Sequence, residues 1–321
     1  MVASPALRVV FFGTPQFAVP TLELILASRH TVVAAVTQPD RPSGRGQRVS
    51  HGPVKATALA AGVPVLQPTT LKDEGVVAQL SALGADIGVV AAYGKILTEA
   101  VLATPRLGMI NVHASLLPRH RGAAPIHRAI IAGDAVTGVT IMRVVKALDA
   151  GAMLATVTRD IGPDETSEDV EADLAVLGAT LLVHTLDRLA IGPIEETPQD
   201  DQASTYAQRL TKDDGIVDWR QSAAEIHNQI RGLHPWPHAF SFVQGRRVIL
   251  WRSRVTADAP AESPGAPGTI VAIDTAAIEV ATGAGVLRIT QLQAEGKKVL
   301  AARDFIAGHQ LVVGDRFGPS A

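Results

Sequence analysis

The first 190 residues alternate short apolar runs with amphipathic segments. Residues 7–12 (LRVVFF) have the continuous apolar pattern of a buried strand, and residues 17–28 carry apolar side chains at helical spacing. Residues 31–37 (TVVAAVT) are again strand-like, so this opening predicts a strand, a helix and a second strand parallel to the first. The alternation continues to a long amphipathic helix predicted over residues 167–190. The pattern is typical of an α/β domain built on parallel strands.

The pattern changes after residue 190. Residues 191–205 are polar, lack periodicity and contain prolines, which indicates a linker. Beyond them, a helix predicted at 222–231 precedes short alternating strands separated by glycine and proline turns. Such strands are typical of a small β-barrel, and five of them would fit a fold of the oligonucleotide-binding (OB) type. We therefore predict one domain at 1–190, a linker at 191–205 and a β-barrel domain at 206–321.

A loop at residues 38–52 (QPDRPSGRGQRVSHG) interrupts the α/β alternation. Its prolines and glycines oppose regular structure. Arg41, Arg45 and Arg48 outnumber Asp40, so the loop has a positive bias. Such a loop is either a solvated surface or a contact to a phosphate backbone, and charge alone does not decide between them.

Composition excludes several classes of function. The formal net charge of −2 over 321 residues creates no global attraction to nucleic acid or acidic lipid, so any polyanion site must be a local patch. Without cysteine, thiolate nucleophiles, disulfides and cysteine-ligated zinc are excluded. The N-terminal sequence lacks the pattern of a signal peptide, and the apolar runs are shorter than a membrane span. We expect a soluble cytoplasmic protein with no membrane partner.

The turn after the first strand (GTPQF) contains a single glycine, whereas a dinucleotide-binding unit needs G-x-G-x-x-G there. The chain also lacks G-x-x-x-x-G-K-[ST], the motif of a P-loop. A dinucleotide-binding unit and a P-loop nucleotide site are therefore both disfavoured.

The stretch from Asn111 to Pro125 (NVHASLLPRHRGAAP) carries the candidate chemistry. Asn111 and His113 alternate along a predicted strand and so share one face. An amide can donate to a developing oxyanion, and an imidazole can move protons, a pairing that suits acyl-type transfer. Asp149 is a third candidate, although each of these residues alone is more often structural. All three are expected at or beyond the ends of parallel strands, where such sheets form their sites.

Two further side-chain sets have competing interpretations. His113, His120 and His127 recur every seven residues, but Pro118 and Pro125 break any common helix, so we expect no metal. The aromatic residues of the second domain either stack bases or pack its core, and packing is favoured. These residues are Trp219, Trp236, Trp251, Phe240 and Phe242. Basic residues of the same domain form either a nucleic-acid-binding face or solvated surface. They are Arg246, Arg247, Arg252, Arg254, Lys297 and Lys298.

The run NVHASLLPRHRGAAPIHRAIIAGDAVTGVTIM, with the later LDAG at 148–151, resembles the formyltransferase family that uses 10-formyltetrahydrofolate. Further segments extend the resemblance over nearly the whole chain, namely TPQFAVPTLE, TQPDRPSGRGQRVSHGPVK, PWP at 235–237 and AEGKK at 294–298. The resemblance implies a doubly wound, mostly parallel, Rossmann-like formyltransferase domain and a C-terminal OB-like β-barrel that binds tRNA. The branch of the family with all these segments formylates initiator methionyl-tRNA, which gives N-formylmethionyl-tRNA for translation initiation.

The resemblance also implies roles for individual residues. Asn111, His113 and Asp149 match the catalytic positions of the family, and Ser115, Leu116, Leu117 and Pro118 match its folate-side loop. Arg45 matches the arginine-bearing loop that, in the family, enters the space around the tRNA acceptor end. We extend the expected tRNA contacts to Arg41, Arg48, Lys297 and Lys298. The chain departs from the common pattern at His120, often an aromatic residue, and at His127, often a glutamine.

Alternative functions remain open at this point. Other folate-dependent formyltransferases act on a sugar nucleotide or a purine precursor and share the three catalytic residues, but need neither the arginine loop nor the second domain. A nucleic-acid-binding module with an inactive α/β domain is an alternative of another class, against which the intact Asn111, His113 and Asp149 speak. No residue pattern fixes the oligomeric state, for which we expect a monomer.

Overall fold

The computed structural model describes residues 5–40, 42–43, 48–49, 51–255 and 264–318. The strands are β1 (Arg8–Gly13), β2 (Thr31–Val36), β3 (Pro42–Ser43), β4 (Arg48–Val49), β5 (Val65–Leu66), β6 (Ile87–Ala91), β7 (Met109–His113), β8 (Arg121–Gly122), β9 (Val136–Arg143), β10 (Met153–Asp160), β11 (Tyr206–Ala207), β12 (Ala239–Val243), β13 (Arg246–Val255), β14 (Ile270–Ile273), β15 (Ile278–Ala281), β16 (Val286–Ala294), β17 (Leu300–Ala301) and β18 (Phe317–Gly318). The α-helices are α1 (Val19–Leu26), α2 (Pro53–Ala60), α3 (Glu74–Ala82), α4 (Glu99–Leu102), α5 (Pro125–Ile131), α6 (Ser167–Ile191), α7 (Ala223–Gly232) and α8 (Ala302–His309).

The chain divides into two compact units. The first contains residues 1–122, 137–159 and 171–206, and the second contains residues 123–136, 160–170 and 207–321. Two short segments that precede residue 190 therefore group with the second unit. The predicted boundaries at 190 and 205 assume that each domain is one continuous stretch of sequence, and they stay a prediction.

The first unit is built on a mixed sheet with the strand order β10-β9-β7-β6-β1-β2-β5. β5, β2, β1, β6 and β7 are parallel neighbours, whereas β9 runs antiparallel to β7. Continuous apolar sequence suits the parallel strands because both faces of such a sheet are covered. The predicted mostly parallel sheet is confirmed. The expectation that Asp149 follows a parallel strand is wrong, because the strand that precedes it, β9, is antiparallel.

Helices cover both faces of this sheet. On one face, Phe12 of β1 and Met109 of β7 share a buried core with Leu80 of α3. On the other face, α6 lies close to β7, since a Cβ added to Gly178 would lie 2.8 Å from Cγ1 of Val112. The sheet is therefore doubly wound, and side chains on β7 alternate between the two sides.

Helix α6 is 25 residues long, and its length and composition would allow it to cross a membrane. The apolar runs did not predict such a segment, because polar residues interrupt them. Within the folded chain, its side chains Leu174, Leu182 and Leu186 are fully buried. This burial in the core accounts for the apolar composition of the helix.

The second unit contains an antiparallel sheet with the order β14-β15-β16-β13-β12-β18, in which β17 also pairs with β16. The register of β13 against β16 shifts on both sides of Arg252, and such irregularities allow a strand to bend. The curled sheet encloses a core that includes Leu250, Leu287, Ile226 of α7 and Phe305 of α8. The predicted barrel-like domain is confirmed, although the sequence pattern did not predict α8.

The aromatic residues of this unit have different surroundings. Trp219 is buried in the core and its Nε1 donates to Oγ of Ser241 at 2.9 Å. Trp251 is half-buried and its Nε1 donates to Oε1 of Gln293 at 2.7 Å. Trp236, by contrast, is 52% exposed. Trp219 therefore packs in the core, as favoured above, while Trp236 lies at the surface.

Half-buried histidines in the second unit make its stability depend on pH. Burial lowers the pKa of His127 on α5 to about 4, with a smaller effect from Arg128, and burial also lowers the pKa of His238 to about 4. In the unfolded chain a histidine titrates near a pKa of roughly 6.5, so below that pH the unfolded state binds more protons. This part of the free energy of unfolding is therefore present above pH 6.5 and is lost as the pH falls towards 4.

We predict that His127→Gln weakens this pH dependence. The free energy of unfolding of the unaltered chain should fall between about pH 7 and pH 5. Without the His127 imidazole, this fall should be smaller by up to about 2 kcal/mol. Urea unfolding followed by circular dichroism at both pH values measures the drop. His184→Gln, which changes an exposed histidine on α6, is the matched control. An equal drop in His127→Gln and the unaltered chain would contradict the prediction.

Candidate active site

Strand β7 delivers Asn111 and His113 to one face of the sheet. The alternation along the strand turns Val112 towards α6, so Asn111 and His113 lie on the opposite face. His113 is only 5% exposed, whereas Asn111 is half-buried. Within the described residues the Asn111 carboxamide forms no hydrogen bond, so it is available to a ligand.

Asp149 reaches the same place from the loop between β9 and β10. Its Oδ2 accepts a hydrogen bond from the Gly122 amide at 2.9 Å and lies 3.8 Å from Nδ1 of His113. Asp149 has a φ of +48°, in the left-handed region that aspartate tolerates better than most residues. The loop then returns very close to β9, because a Cβ on Gly151 would lie 1.9 Å from the Arg143 carbonyl oxygen. Only glycine fits at this position.

The second nitrogen of His113 has its own partner. Nε2 lies 3.0 Å from the carbonyl oxygen of His120. Because a carbonyl oxygen only accepts, Nε2 carries a proton in this geometry. When Nδ1 is protonated as well, the ring donates towards Asp149 on its other side. The arrangement can therefore hold a proton at Nδ1 and release it to a reacting group.

The loop formed by Ser115, Leu116, Leu117 and Pro118 lies next to His113. Oγ1 of Thr140, on β9, donates to the Ser115 carbonyl oxygen at 2.8 Å and accepts from the Leu117 amide at 3.2 Å. The Ser115 hydroxyl donates to the Arg119 carbonyl oxygen at 2.7 Å, which closes the loop on itself. Ser115 and Leu117 are buried, while Leu116 and Pro118 are half-buried. The two half-buried side chains are the ones that this loop can offer to a ligand.

The residues expected to contact tRNA are described only in part. Arg41 and Arg45 lie outside the described residues, and Arg48 is described only as backbone in β4. Pro42 pairs with Val49, and Arg48 with Ser43, so the expectation that the loop lacks regular structure is wrong at these positions. Lys297 and Lys298 are exposed in the turn after β16, within the second unit.

Two of the four candidate arginines of the second unit, Arg247 and Arg254, lie next to carboxylates. Nη1 of Arg247 lies 3.0 Å from Glu295, and its guanidinium stacks 3.9 Å above the Phe240 ring. Nε of Arg254 lies 3.7 Å from Asp164. These pairings favour surface structure over a free basic face for the two arginines. In the stretches that the structure describes, no three histidine or carboxylate side chains are grouped as metal ligands.

Several residues that shape the site were not predicted from the sequence. Thr140 and the Gly122 amide hold its loops, as described above. Gln199 and Thr205 contact the same loops, although they lie in the segment predicted to be a linker. Oγ1 of Thr205 accepts from the His120 amide at 2.8 Å. Local sequence gives no signal for these residues, because each acts across a large sequence separation.

Residues 7–186 match the family model described as formyl transferase, and residues 209–310 match the model described as formyl transferase, C-terminal domain. The chain belongs to the formyl transferase family. The resemblance seen in its motifs is confirmed, and the protein is an enzyme of the formyltransferase class.

Relatives within the family align over nearly the full chain. The methionyl-tRNA formyltransferase of Methylobacillus flagellatus is 47% identical over 313 residues, which cover 97% of this chain and 100% of that protein. The methionyl-tRNA formyltransferase of Coxiella burnetii strain RSA 331 is 45% identical over 314 residues, which cover 98% of each.

Solved structures show the same fold at lower identity. An N-formyltransferase from Helicobacter canadensis, in complex with folinic acid and dTDP-3-aminofucose, has a TM-score of 0.67 at 18% identity and covers 88% of this chain and 99% of that one. HypX from Aquifex aeolicus, in complex with tetrahydrofolic acid, has a TM-score of 0.64 at 16% identity. That match covers 96% of this chain but 48% of HypX, so the chain spans about half the length of HypX.

Proposed function

We propose that this enzyme transfers a formyl group from 10-formyltetrahydrofolate to the amino group of initiator methionyl-tRNA. The product, N-formylmethionyl-tRNA, serves translation initiation. The main support for this proposal is the sequence identity of 45–47% to bacterial methionyl-tRNA formyltransferases over nearly the whole chain. The contact between His113 and Asp149, beside the loop that begins at Ser115, supplies the chemistry. The reaction belongs in the cytoplasm, where tRNA is charged.

The chemistry follows from acyl transfer through a tetrahedral intermediate. The methionyl amine attacks the formyl carbon, the bond from that carbon to N10 of the folate breaks, and a proton passes from the amine to N10. Negative charge develops on the formyl oxygen, where the Asn111 carboxamide donates a hydrogen bond. The Nδ1–H of His113 is the second donor, because Nε2 is bound to the His120 carbonyl and Nδ1 lies 3.8 Å from Asp149, beyond hydrogen-bond distance. Asp149 orients His113 and assists the proton transfer.

The folate donor accounts for the one-carbon chemistry. Its formyl group is already activated, so the proposed transfer uses no metal. The folate-bound structures of the Helicobacter and Aquifex proteins support a folate co-substrate. We assign the folate side of the site to Ser115, Leu116, Leu117 and Pro118. The half-buried Leu116 and Pro118 would form apolar contacts, while Ser115 and Leu117 shape the loop.

We assign the tRNA contacts to basic residues of both units. Arg41, Arg45 and Arg48 belong to the loop after β2, and Lys297 and Lys298 to the turn after β16. Arginine and lysine bind the phosphate backbone without reading sequence, which suits positioning of the aminoacyl end. The protein is expected to act as a monomer and without a membrane.

A sugar nucleotide is the second candidate acceptor. The Helicobacter structure contains dTDP-3-aminofucose, and its chain aligns over 88% of this one. The identity to that protein is 18%, however, against 47% for the methionyl-tRNA formyltransferase of Methylobacillus. The tRNA acceptor is therefore favoured.

The direct test is mass spectrometry of the product after incubation with 10-formyltetrahydrofolate and charged initiator tRNA. We expect the methionyl moiety to gain the mass of one CO, because the formyl group replaces a hydrogen of the amine. A parallel reaction with a dTDP-amino sugar tests the second candidate. Formylation of the sugar without formylation of methionyl-tRNA would reject the proposed acceptor.

We predict that Asn111→Ala lowers the turnover number by about 10² to 10³, the usual loss when one oxyanion donor is removed. The half-buried position should leave the fold intact, which thermal unfolding can check. Asn228→Ala, at an asparagine on α7 of the other unit, is the control. Turnover close to that of the unaltered enzyme would argue against an oxyanion role for Asn111.

Binding of tRNA should weaken with salt because basic residues displace counterions from phosphates. With five such residues, KM for tRNA should rise by about 10² between roughly 50 and 200 mM salt, while KM for the folate changes little. The double substitution Lys297→Ala with Lys298→Ala should reduce the slope of log KM against log salt by about 2. A KM for tRNA that does not depend on salt would contradict the assigned contacts.

A further inference from the structure

The carboxamide of Gln199 joins two loops of the candidate active site. Its Nε2 donates to the carbonyl oxygens of Asp149 at 2.8 Å and Gly151 at 2.7 Å. Its Oε1 accepts from Nε of Arg121 at 2.9 Å. Gln199 is half-buried, whereas residues 195–198 and 200 on either side of it are exposed. The Gln199 side chain thus turns inwards from an otherwise exposed segment, and both the nitrogen and the oxygen of its carboxamide form hydrogen bonds.

The bonds fall on the groups that fix the contact between Asp149 and His113. Gln199 binds the main chain of Asp149 itself, where φ is +48° and an L-residue needs outside support. Arg121 directly precedes Gly122, whose amide donates to Oδ2 of Asp149. Gln199 therefore binds the main chain of the residue that accepts this hydrogen bond and the side chain next to the residue that donates it. Arg121 has a second side-chain partner in Asp201, at 2.8 Å, whereas Gln199 is the side chain that links Arg121 to the Asp149 loop.

The segment around Gln199 is itself held in place. The amide and carbonyl groups of Thr197 pair with Met153 at the start of β10, with N···O distances of 2.9 and 2.8 Å. The carbonyl oxygen of Thr205 accepts from the Arg121 amide at 2.9 Å. His120, whose amide binds the Thr205 hydroxyl, carries the carbonyl that pairs with His113. The segment thus anchors both partners of the pair formed by His113 and Asp149.

We propose that Gln199 is a positioning residue for formyl transfer, which sets the orientation of Asp149 towards His113. This inference rests on the proposed function for its chemistry and on the hydrogen bonds of the Gln199 carboxamide for its geometry. A misplacement of a catalytic group by about 1 Å can lower a rate by about 10². The polar segment after α6, which the sequence predicted to be a linker, therefore lies within the first unit and contributes to the catalytic apparatus.

The test compares Gln199→Glu and Gln199→Met with Gln202→Glu. The carboxylate of Gln199→Glu places an acceptor against two carbonyl oxygens, while Gln199→Met removes the hydrogen bonds without adding charge. Gln202→Glu makes the same change three positions along, at an exposed side chain. We expect kcat to fall by about 10- to 100-fold in both Gln199 variants, with KM for either substrate within about threefold. Gln202→Glu should match the unaltered enzyme.

A second measurement needs no substrate. Hydrogen exchange of the Gly122 amide, followed by NMR, reports on its bond to Asp149. We expect exchange at least about tenfold faster in the Gln199 variants than in Gln202→Glu, with global thermal unfolding similar in all three. If Gln199→Glu is too unstable to measure, Gln199→Met decides.

The outcomes separate the two proposals. An unaltered enzyme that does not formylate methionyl-tRNA would refute the proposed function, while the exchange measurement would still test the loops. An active unaltered enzyme with the same kcat in both Gln199 variants would overturn the positioning role. So would Gly122 exchange equal to that of Gln202→Glu, or an increase in KM with kcat unchanged.

Discussion

The antiparallel pairing of β9 with β7 is the constraint on which the candidate site depends. Its register sets Thr140 opposite His113, so the Thr140 hydroxyl lies where it can hold the loop after β7. Because β9 runs antiparallel to β7, the end of β9 at Arg143 lies opposite Ile110 and not opposite His113. The loop between β9 and β10 must therefore bring Asp149 back towards His113. The left-handed backbone of Asp149 and the absence of a side chain at Gly151 make that return possible.

Hydrogen bonds from the surrounding loops convert this layout into a defined orientation. His113 has the His120 carbonyl on one nitrogen and faces the Asp149 carboxylate with the other. His120 and Asp149 are in turn held by Thr205 and Gln199, which both belong to the polar segment after α6. Such supporting bonds decide whether reacting groups are preorganised, because rigid placement removes reorganisation from the reaction itself.

In the second unit, the sequence predicted the strands but not helix α8, and the difference has a physical reason. Alternating apolar residues predicted strands because a sheet with one buried face needs that period. Helix α8 was missed because only part of its short length is apolar, and Phe305 becomes a core residue only once the sheet curls around it. Trp219 and Trp236 could not be told apart by residue type, since burial is decided by distant neighbours.

The sequence by itself determined the α/β class, the strand that carries Asn111 and His113, the exclusion of cysteine chemistry and, through long motifs, the family. These properties depend on local periodicity and on residue identity, both of which are present in the linear chain. Only the tertiary structure decided that β9 is antiparallel, that Asp149 lies 3.8 Å from His113, and that Gln199 binds the Asp149 loop. Contacts between residues 36 or 50 positions apart leave no periodic trace in the chain, because they arise only when separate elements pack together.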